Sequence, residues 1–314
     1  MPKPVVIDCD PGHDDAVALL LAAQSDELGL RAVTTVAGNQ TVEKTTTNAL
    51  KVLTLAGRTD VPVAAGCEEP LVREFVSEHD VHGDSGLDGP ELEEPAFETV
   101  DQHGVDLLIE TVRESDVPVY LVPIGPLTNV AMAFRKAPDI VDDIERVVLM
   151  GGAVEEGNKT PVAEFNVYAD AEAADIVFDA DVDRTMVGLD VTRKARYSAA
   201  RFDEMRALES EVADVVADLF EFYLEFHNRR FGWDSVPIHD ACAVAEVISP
   251  GIVDTERARV EIETDGEHTY GQTVCDMQGV WDRTGHKAEP NADVGHDIDK
   301  DGFFELLLGE LERY

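Results

Sequence analysis

The sequence predicts an α/β fold, a doubly wound, open and mostly parallel sheet of Rossmann-like type. Three observations predict it. Apolar β-rich runs alternate with helical patterns along most of the 314 residues. The early β runs are continuously apolar rather than alternating, as in a sheet covered on both faces. Each distinctive polar cluster follows directly after a β run, where open α/β sheets bind their ligands.

In chain order, Val5–Asp8 is the first strand and Asp14–Ala23 the first helix. Leu30–Ala37 is a strand and Val42–Ala56 a helix. Residues 77–100, rich in glycine, proline and acids, form a long loop of the kind that serves as a lid. Helix Val105–Glu114, strand Val119–Ile124 and helix Leu127–Ala137 come next. Then come strand Val147–Met150, helix Ala171–Phe178, strand Thr185–Gly188 and helix Glu209–His227. Arg259–Glu263 and Gln272–Cys275 are the last predicted strands. No repeat or linker divides the chain, so residues 1–314 are expected to form a single domain with lid loops near 77–100 and 222–236.

Composition excludes several classes of function. The 65 acids against 25 bases give a formal charge of −40. Such a field repels nucleic acid and anionic lipid, so neither is an expected partner. The bases are 17 Arg and 8 Lys. Strong acidity with little lysine suits a halophilic, high-salt cytosol, where self-repulsion is screened. The longest apolar run, Ala16–Ala23, is too short to span a bilayer, and no signal peptide is expected. Four scattered cysteines read as reduced thiols of a cytoplasmic protein.

The stretch "DCDPGHDDA" (residues 8–16) crowds four aspartates after the first strand. Asp10, Asp14 and Asp15 could cap and complement the helix that follows, or they could hold a hard cation such as Ca²⁺ or Mg²⁺. "DCDPG" also resembles the haloacid dehalogenase phosphatases, with Asp8 as nucleophile and Asp10 as helper. That family needs a later lysine and a further acidic pair at a strand end; no such lysine follows a strand end here, and the "GHDDA" continuation is not its pattern. "VPIHDACAVAEVI" places His239 and Asp240 at a helix start, where capping is the plainer reading. "HGDSGLDGP" puts His82 in the lid. "GNKTPVAEFN" gathers Asn158, Glu164, Phe165 and Asn166, a mixture of amides and a carboxylate suited to sugar hydroxyls.

Taken together, DxDPGxDDA, AGN, HGxxGL, GPLTN, MGG, GNxTPxAEFN and PxHDxxAV, in that order, resemble the inosine–uridine-preferring nucleoside hydrolases. "GQTVCDMQG", "PNADV" and a final helix are also similar to that family. The resemblance implies hydrolysis of the N-glycosidic bond of ribonucleosides with a Ca²⁺-bound water. It implies Asp10, Asp15, Asp240 and the Ile124 carbonyl as Ca²⁺ ligands, and Asp10 as general base. Asp14 and Asn166 would hold the ribose, with Asn39 near the water and ribose and Met150 and Phe165 also lining the substrate site. Asn158 and Glu164 would hold the 5′-hydroxyl. His239 is the candidate acid for the departing base, with His82 assisting or touching that base. Asp8 would support the site, and His13 receives no role. The segment Phe222–Asp234 would line the base pocket, with Phe222, Tyr223, His227, Arg230, Phe231 and Trp233 as candidates. The resemblance also implies a homodimer or homotetramer. The rival readings are a catalytically idle nucleoside- or ribose-binding protein and a metal-dependent phosphatase.

Overall fold

Val5, Val6 and Ile7 explain the architecture. Val5 and Ile7 pack into one apolar core and Val6 into another, on opposite faces of the same strand. A strand alternates its side chains between faces, so a continuous apolar run demands cover on both. The computed structural model describes residues 1–77, 79–285 and 289–314, and the backbone alone at 79–80.

The strands, in chain order, are β1 (Lys3–Cys9), β2 (Leu28–Thr35), β3 (Val63–Ala65), β4 (Val119–Pro123), β5 (Ile144–Met150), β6 (Arg184–Val187), β7 (Arg196–Ser198), β8 (Ser235–Pro237), β9 (Val253–Ile262), β10 (Thr273–Asp276) and β11 (Ala292–Ile298). Nine of them form one sheet, ordered β10-β9-β11-β6-β5-β4-β1-β2-β3. From β3 to β11 all pairings are parallel, while β9 and β10 add antiparallel partners at the far edge. β7 and β8 pair separately as a short antiparallel ribbon. This is the expected open, mostly parallel α/β sheet.

The order locates the site. The chain leaves β1 toward β2 and β3, then returns to the other side of β1 with β4. The connections above β1 and β4 therefore run in opposite directions and leave a crevice between them. The helix His13–Gln24 starts beside this crevice and is buried over 11 of its 12 residues. It packs against the helix Asp240–Ile248, which brings two distant sequence segments to the same place.

Several elements differ from the sequence expectation. β3 has only three residues, and β11 mixes polar residues into its pattern. β9 begins at Val253 rather than Arg259, because residues 254–257 are exposed and carry no apolar signal. The long helix runs Glu211–Phe231, capped by the Ser210 side chain and ended by Gly232 in the left-handed conformation. Residues 222–231, assigned to a lid loop, are thus helical. Within 77–100, His79–His82 form a helical turn, and residue 78 lies outside the described residues. The following backbone is tied down: Gln40 donates to the Gly83 carbonyl, Lys44 to that of Asp84 and Asn48 to that of Ser85. No helix among the described residues is long and apolar enough to cross a membrane.

Candidate active site

Asp10 is the first residue after β1, and Asp14 and Asp15 occupy the first turn of the following helix. Asp240 opens its own helix. All four are buried. One carboxylate oxygen from each of Asp14, Asp15 and Asp240 lies within 4.8 Å of the others. Asp10 joins them through Asp15, whose Oδ1 accepts the Asp10 backbone N–H at 3.1 Å. Asp15 Oδ2 accepts from the Gly12 backbone at 3.0 Å and from Asn39 Nδ2 at 3.3 Å. Asn39 also donates its backbone N–H to Asp10 Oδ2 at 2.7 Å. The glycine of "AGN" is explained here: a Cβ on Gly38 would collide with the Asp10 carboxylate.

Electrostatics makes this cluster unusual. Burial, then the neighbouring Asp15, pushes the Asp14 carboxyl up to about 8. The same two causes hold Asp10 well above the ordinary range, and burial with Asp14, Asp15 and Asp10 does so for Asp240. Burial also raises Asp15. Two like charges at such separations repel by about 3 kcal/mol at an effective dielectric of about 20. Four carboxylates therefore stay ionised together only around a cation. Asp10 Oδ1 is buried with no hydrogen-bond partner, an acceptor awaiting one. The donors are all oxygens, as hard divalent ions require, so these residues fit such an ion.

The ends of β4 and β5 complete the crevice. Asn166 donates to the Ile124 carbonyl at 2.9 Å and the Met150 carbonyl at 3.2 Å. Glu164 caps the short helix Phe165–Ala169, and its Oε2 accepts from the backbone N–H groups of Gly152 and Val167. Burial pushes its carboxyl up to about 7. Asn158 Oδ1 accepts the Phe165 backbone N–H at 2.9 Å. His239 Nδ1 lies 2.7 Å from the Thr192 hydroxyl, and burial lowers the imidazole to about 3.

These groups line one cavity of about 670 Å³. Asp14, Asn39, His82, Ile124, Met150, Asn158, Glu164, Phe165, Asn166, His239 and Asp240 all reach it. Asp10 and Asp15 are buried beside this lining, Asp15 within 4.8 Å of Asp14 and Asp240 and Asp10 hydrogen-bonded to Asp15. Tyr223, His227, Phe231 and Trp233 form its aromatic side, joined by Phe226, with Arg230 beside them. Phe222 turns away and stacks on His13, with ring centroids 5.2 Å apart. Sequence reasoning missed Phe226, Thr192, Asn129 and His13. Asn129, within the quoted "GPLTN", bonds Asp8 Oδ1 at 2.7 Å, the Thr35 carbonyl and the Cys67 N–H. Asp8 is thereby buried beneath the site, its carboxyl raised by desolvation to about 7.

Known proteins resemble this chain in sequence and fold. The family described as inosine-uridine preferring nucleoside hydrolase matches residues 5–305. A pyrimidine-specific ribonucleoside hydrolase, RihA, of Shewanella woodyi is 47% identical over 315 aligned positions, covering 100% of this chain and 99% of that protein. RihA of Salmonella typhimurium is also 47% identical, with 100% of each chain covered. Among solved structures, the plant nucleoside hydrolase PpNRh1 superposes with a TM-score of 0.92 at 32% identity, covering 99% of both chains. The purine-preferring ribonucleoside hydrolase from Gardnerella vaginalis gives a TM-score of 0.91 at 30% identity, covering 99% of this chain and 98% of that one. The chain belongs to the inosine–uridine-preferring nucleoside hydrolase family and is an N-glycosyl hydrolase that cleaves ribonucleosides to ribose and free base.

Proposed function

We propose that this hydrolase uses Ca²⁺ and prefers pyrimidine ribonucleosides. The observation that carries the metal reading is the buried Asp14, Asp15 and Asp240 triad within 4.8 Å. Asp10, Asp15, Asp240 and the Ile124 carbonyl would hold the ion, with Asp14 the nearest further carboxylate. Many oxygen donors of mixed geometry suit Ca²⁺ better than the strict octahedron of Mg²⁺. When bound, such an ion polarises a water and anchors vicinal hydroxyls. The pyrimidine preference is supported by relatives of that stated specificity at 46–47% identity.

The residues then divide the work. Asp10 takes the proton of the attacking water. Asp14 and Asn166 hold the ribose hydroxyls, and Asn39 keeps Asp10 and Asp15 in place through its three hydrogen bonds. Glu164 and Asn158 hold the 5′-hydroxyl, with Met150 and Phe165 against the sugar. Cleavage leaves positive charge on the ribose, which the surrounding carboxylates stabilise. His239 serves the departing base. Burial keeps it uncharged at neutral pH, so it acts through an N–H rather than as an imidazolium. His82 contacts the base from the lid side.

Residues 1–314 are read as one domain, with 77–100 and 222–236 covering the cavity. The charge of −40 supports a halophilic cytoplasm, and four free cysteines suit a reducing compartment. The family resemblance supports a homodimer or homotetramer. The decisive assay measures reducing-sugar release from uridine, cytidine, inosine and adenosine in molar KCl, with chelator and after adding back Ca²⁺ or Mg²⁺. Uridine or cytidine is expected to exceed inosine in kcat/KM by at least about 10-fold, about 1.4 kcal/mol of transition-state discrimination. Inosine as the best substrate refutes the pyrimidine preference; full activity in chelator refutes the metal.

A further inference from the structure

His13 sits inside the aspartate-rich motif without being a carboxylate, yet it is fully buried. Its imidazole meets two other segments, the lid and the helix Glu211–Phe231. Nε2 lies 2.8 Å from the Asp88 carbonyl, which can only accept, so His13 donates there. Nδ1 lies 3.0 Å from Nδ1 of His82, and the His13 backbone N–H reaches the same atom at 3.2 Å. The ring also stacks between elements: its centroid is 5.3 Å from that of His82, 5.2 Å from Phe222 and 5.5 Å from Tyr223. Next to it, Gly12 leaves room for His82, because a Cβ there would run into the His82 ring.

We propose that His13 is a positioning residue for His82, tying the lid to the helix that carries Asp14 and Asp15. With the His13 backbone N–H donating to Nδ1 of His82, that nitrogen is the acceptor and the proton of the neutral His82 ring sits on Nε2. Nε2 is then the ring nitrogen left for the base. His82 lines the cavity, and among the described residues none hydrogen-bonds this Nε2. Asp88 anchors the far side of the arrangement, its carboxylate accepting from the backbone N–H groups of Asp84 and Ser85. The lid thus carries His82 at one end and the His13 acceptor at the other. This inference rests on the reading that His82 meets the departing base.

The test separates a role in base departure from simple packing. His13→Phe keeps the stacked ring and removes both nitrogens; His13→Asn restores a polar group near the place of Nδ1. Each is assayed on uridine and on p-nitrophenyl ribofuranoside, whose leaving group departs without help. His13→Phe is expected to lower kcat on uridine at least about 10-fold, part of the range for proton-transfer assistance, with KM nearly unchanged. The aryl riboside should lose far less, and His13→Asn should recover part of the uridine rate. His82→Phe should show the same split, and the double variant should be no slower than His82→Phe alone. Equal losses of both substrates in the His13 variants, or fully multiplicative losses in the double variant, overturn the role of His13 while a split in His82→Phe leaves the His82 reading standing. A His82→Phe enzyme without the split overturns both. Should His13→Phe fail to fold, the Asn variant decides by the same ratio.

Discussion

Removing the cation should turn the active-site aspartates into a pH-dependent liability. Asp14 has a folded-state pKa of about 8, and those of Asp10 and Asp240 lie well above the ordinary value of 3.8. A carboxyl whose pKa is raised on folding binds its proton more tightly in the folded state. Stability is then greatest at low pH and falls as pH rises toward the folded pKa. Between pH 6.5 and 8 the unfolded chain has already released these protons. Each proton retained by the metal-free folded protein therefore costs about 1.4 kcal/mol per pH unit, about 2 kcal/mol across the window. Two retained protons give about 4 kcal/mol. With an unfolding entropy of about 2.1 cal/mol/K per residue, that is a fall in Tm of about 6 °C for a chain of this length. The window avoids the buried histidines, whose penalties with lowered pKa values lie at more acid pH. The assay is calorimetry at pH 6.5 and 8 in constant molar KCl, chelated and with excess Ca²⁺. The Ca²⁺-loaded protein should lose less over the window, chiefly through Asp8 and Glu164, whose carboxyls are raised to about 7 in either form, so the gain from Ca²⁺ grows with pH. A metal-free Tm that is flat or rising from pH 6.5 to 8 would falsify the reasoning that these carboxylates share a cation.

Three further outcomes follow from named contacts. Asp10→Asn should lower kcat by at least about 10²-fold, the scale of a lost general base, while calorimetric titration still detects Ca²⁺; near-normal turnover removes Asp10 from that role. Asn129→Ala should destabilise the fold by about 3 kcal/mol in urea titrations, because it strips hydrogen bonds from Asp8, the Thr35 carbonyl and the Cys67 N–H in a buried setting. A loss under about 0.5 kcal/mol, typical of a surface change, contradicts that accounting. Raising KCl from dilute to molar should increase Tm, since a charge of −40 repels itself until screened; a protein most stable without salt ends the halophilic reading.

Much of the site was legible because its chemistry is concentrated at strand ends. Asp10 and Asp15 share one motif with a strand before it and a helix after it, and Asn39, Ile124 and Met150 each follow their own apolar run. The resemblance to a family then linked Asp240 to this group, which capping preference alone left ambiguous. His13 gave no such signal, since its partners are 69 and 75 residues away in the lid. Asn129 was visible only as part of a motif. Thr192 was invisible, because a threonine closing the four-residue helix Leu189–Thr192 carries no sequence signal of its partner His239. β11 escaped detection because its alternation is broken by Gly295, His296 and Asp297.

The sequence by itself determined the α/β class, the cover on both faces of the first strand and the acidic character of the site. Those follow from continuous apolar runs and local clusters, which short-range periodicity records. Only the tertiary structure decided which carboxylates share space. It grouped Asp14 with Asp15 and Asp240 and set Asp10 beside them, against Gly38 and Asn39. It also turned a silent histidine into the link between the lid and the catalytic helix. The physical reason is that strand order and helix packing bring residues together from 225 positions apart, as for Asp15 and Asp240, and nothing in the spacing of either motif encodes that distance.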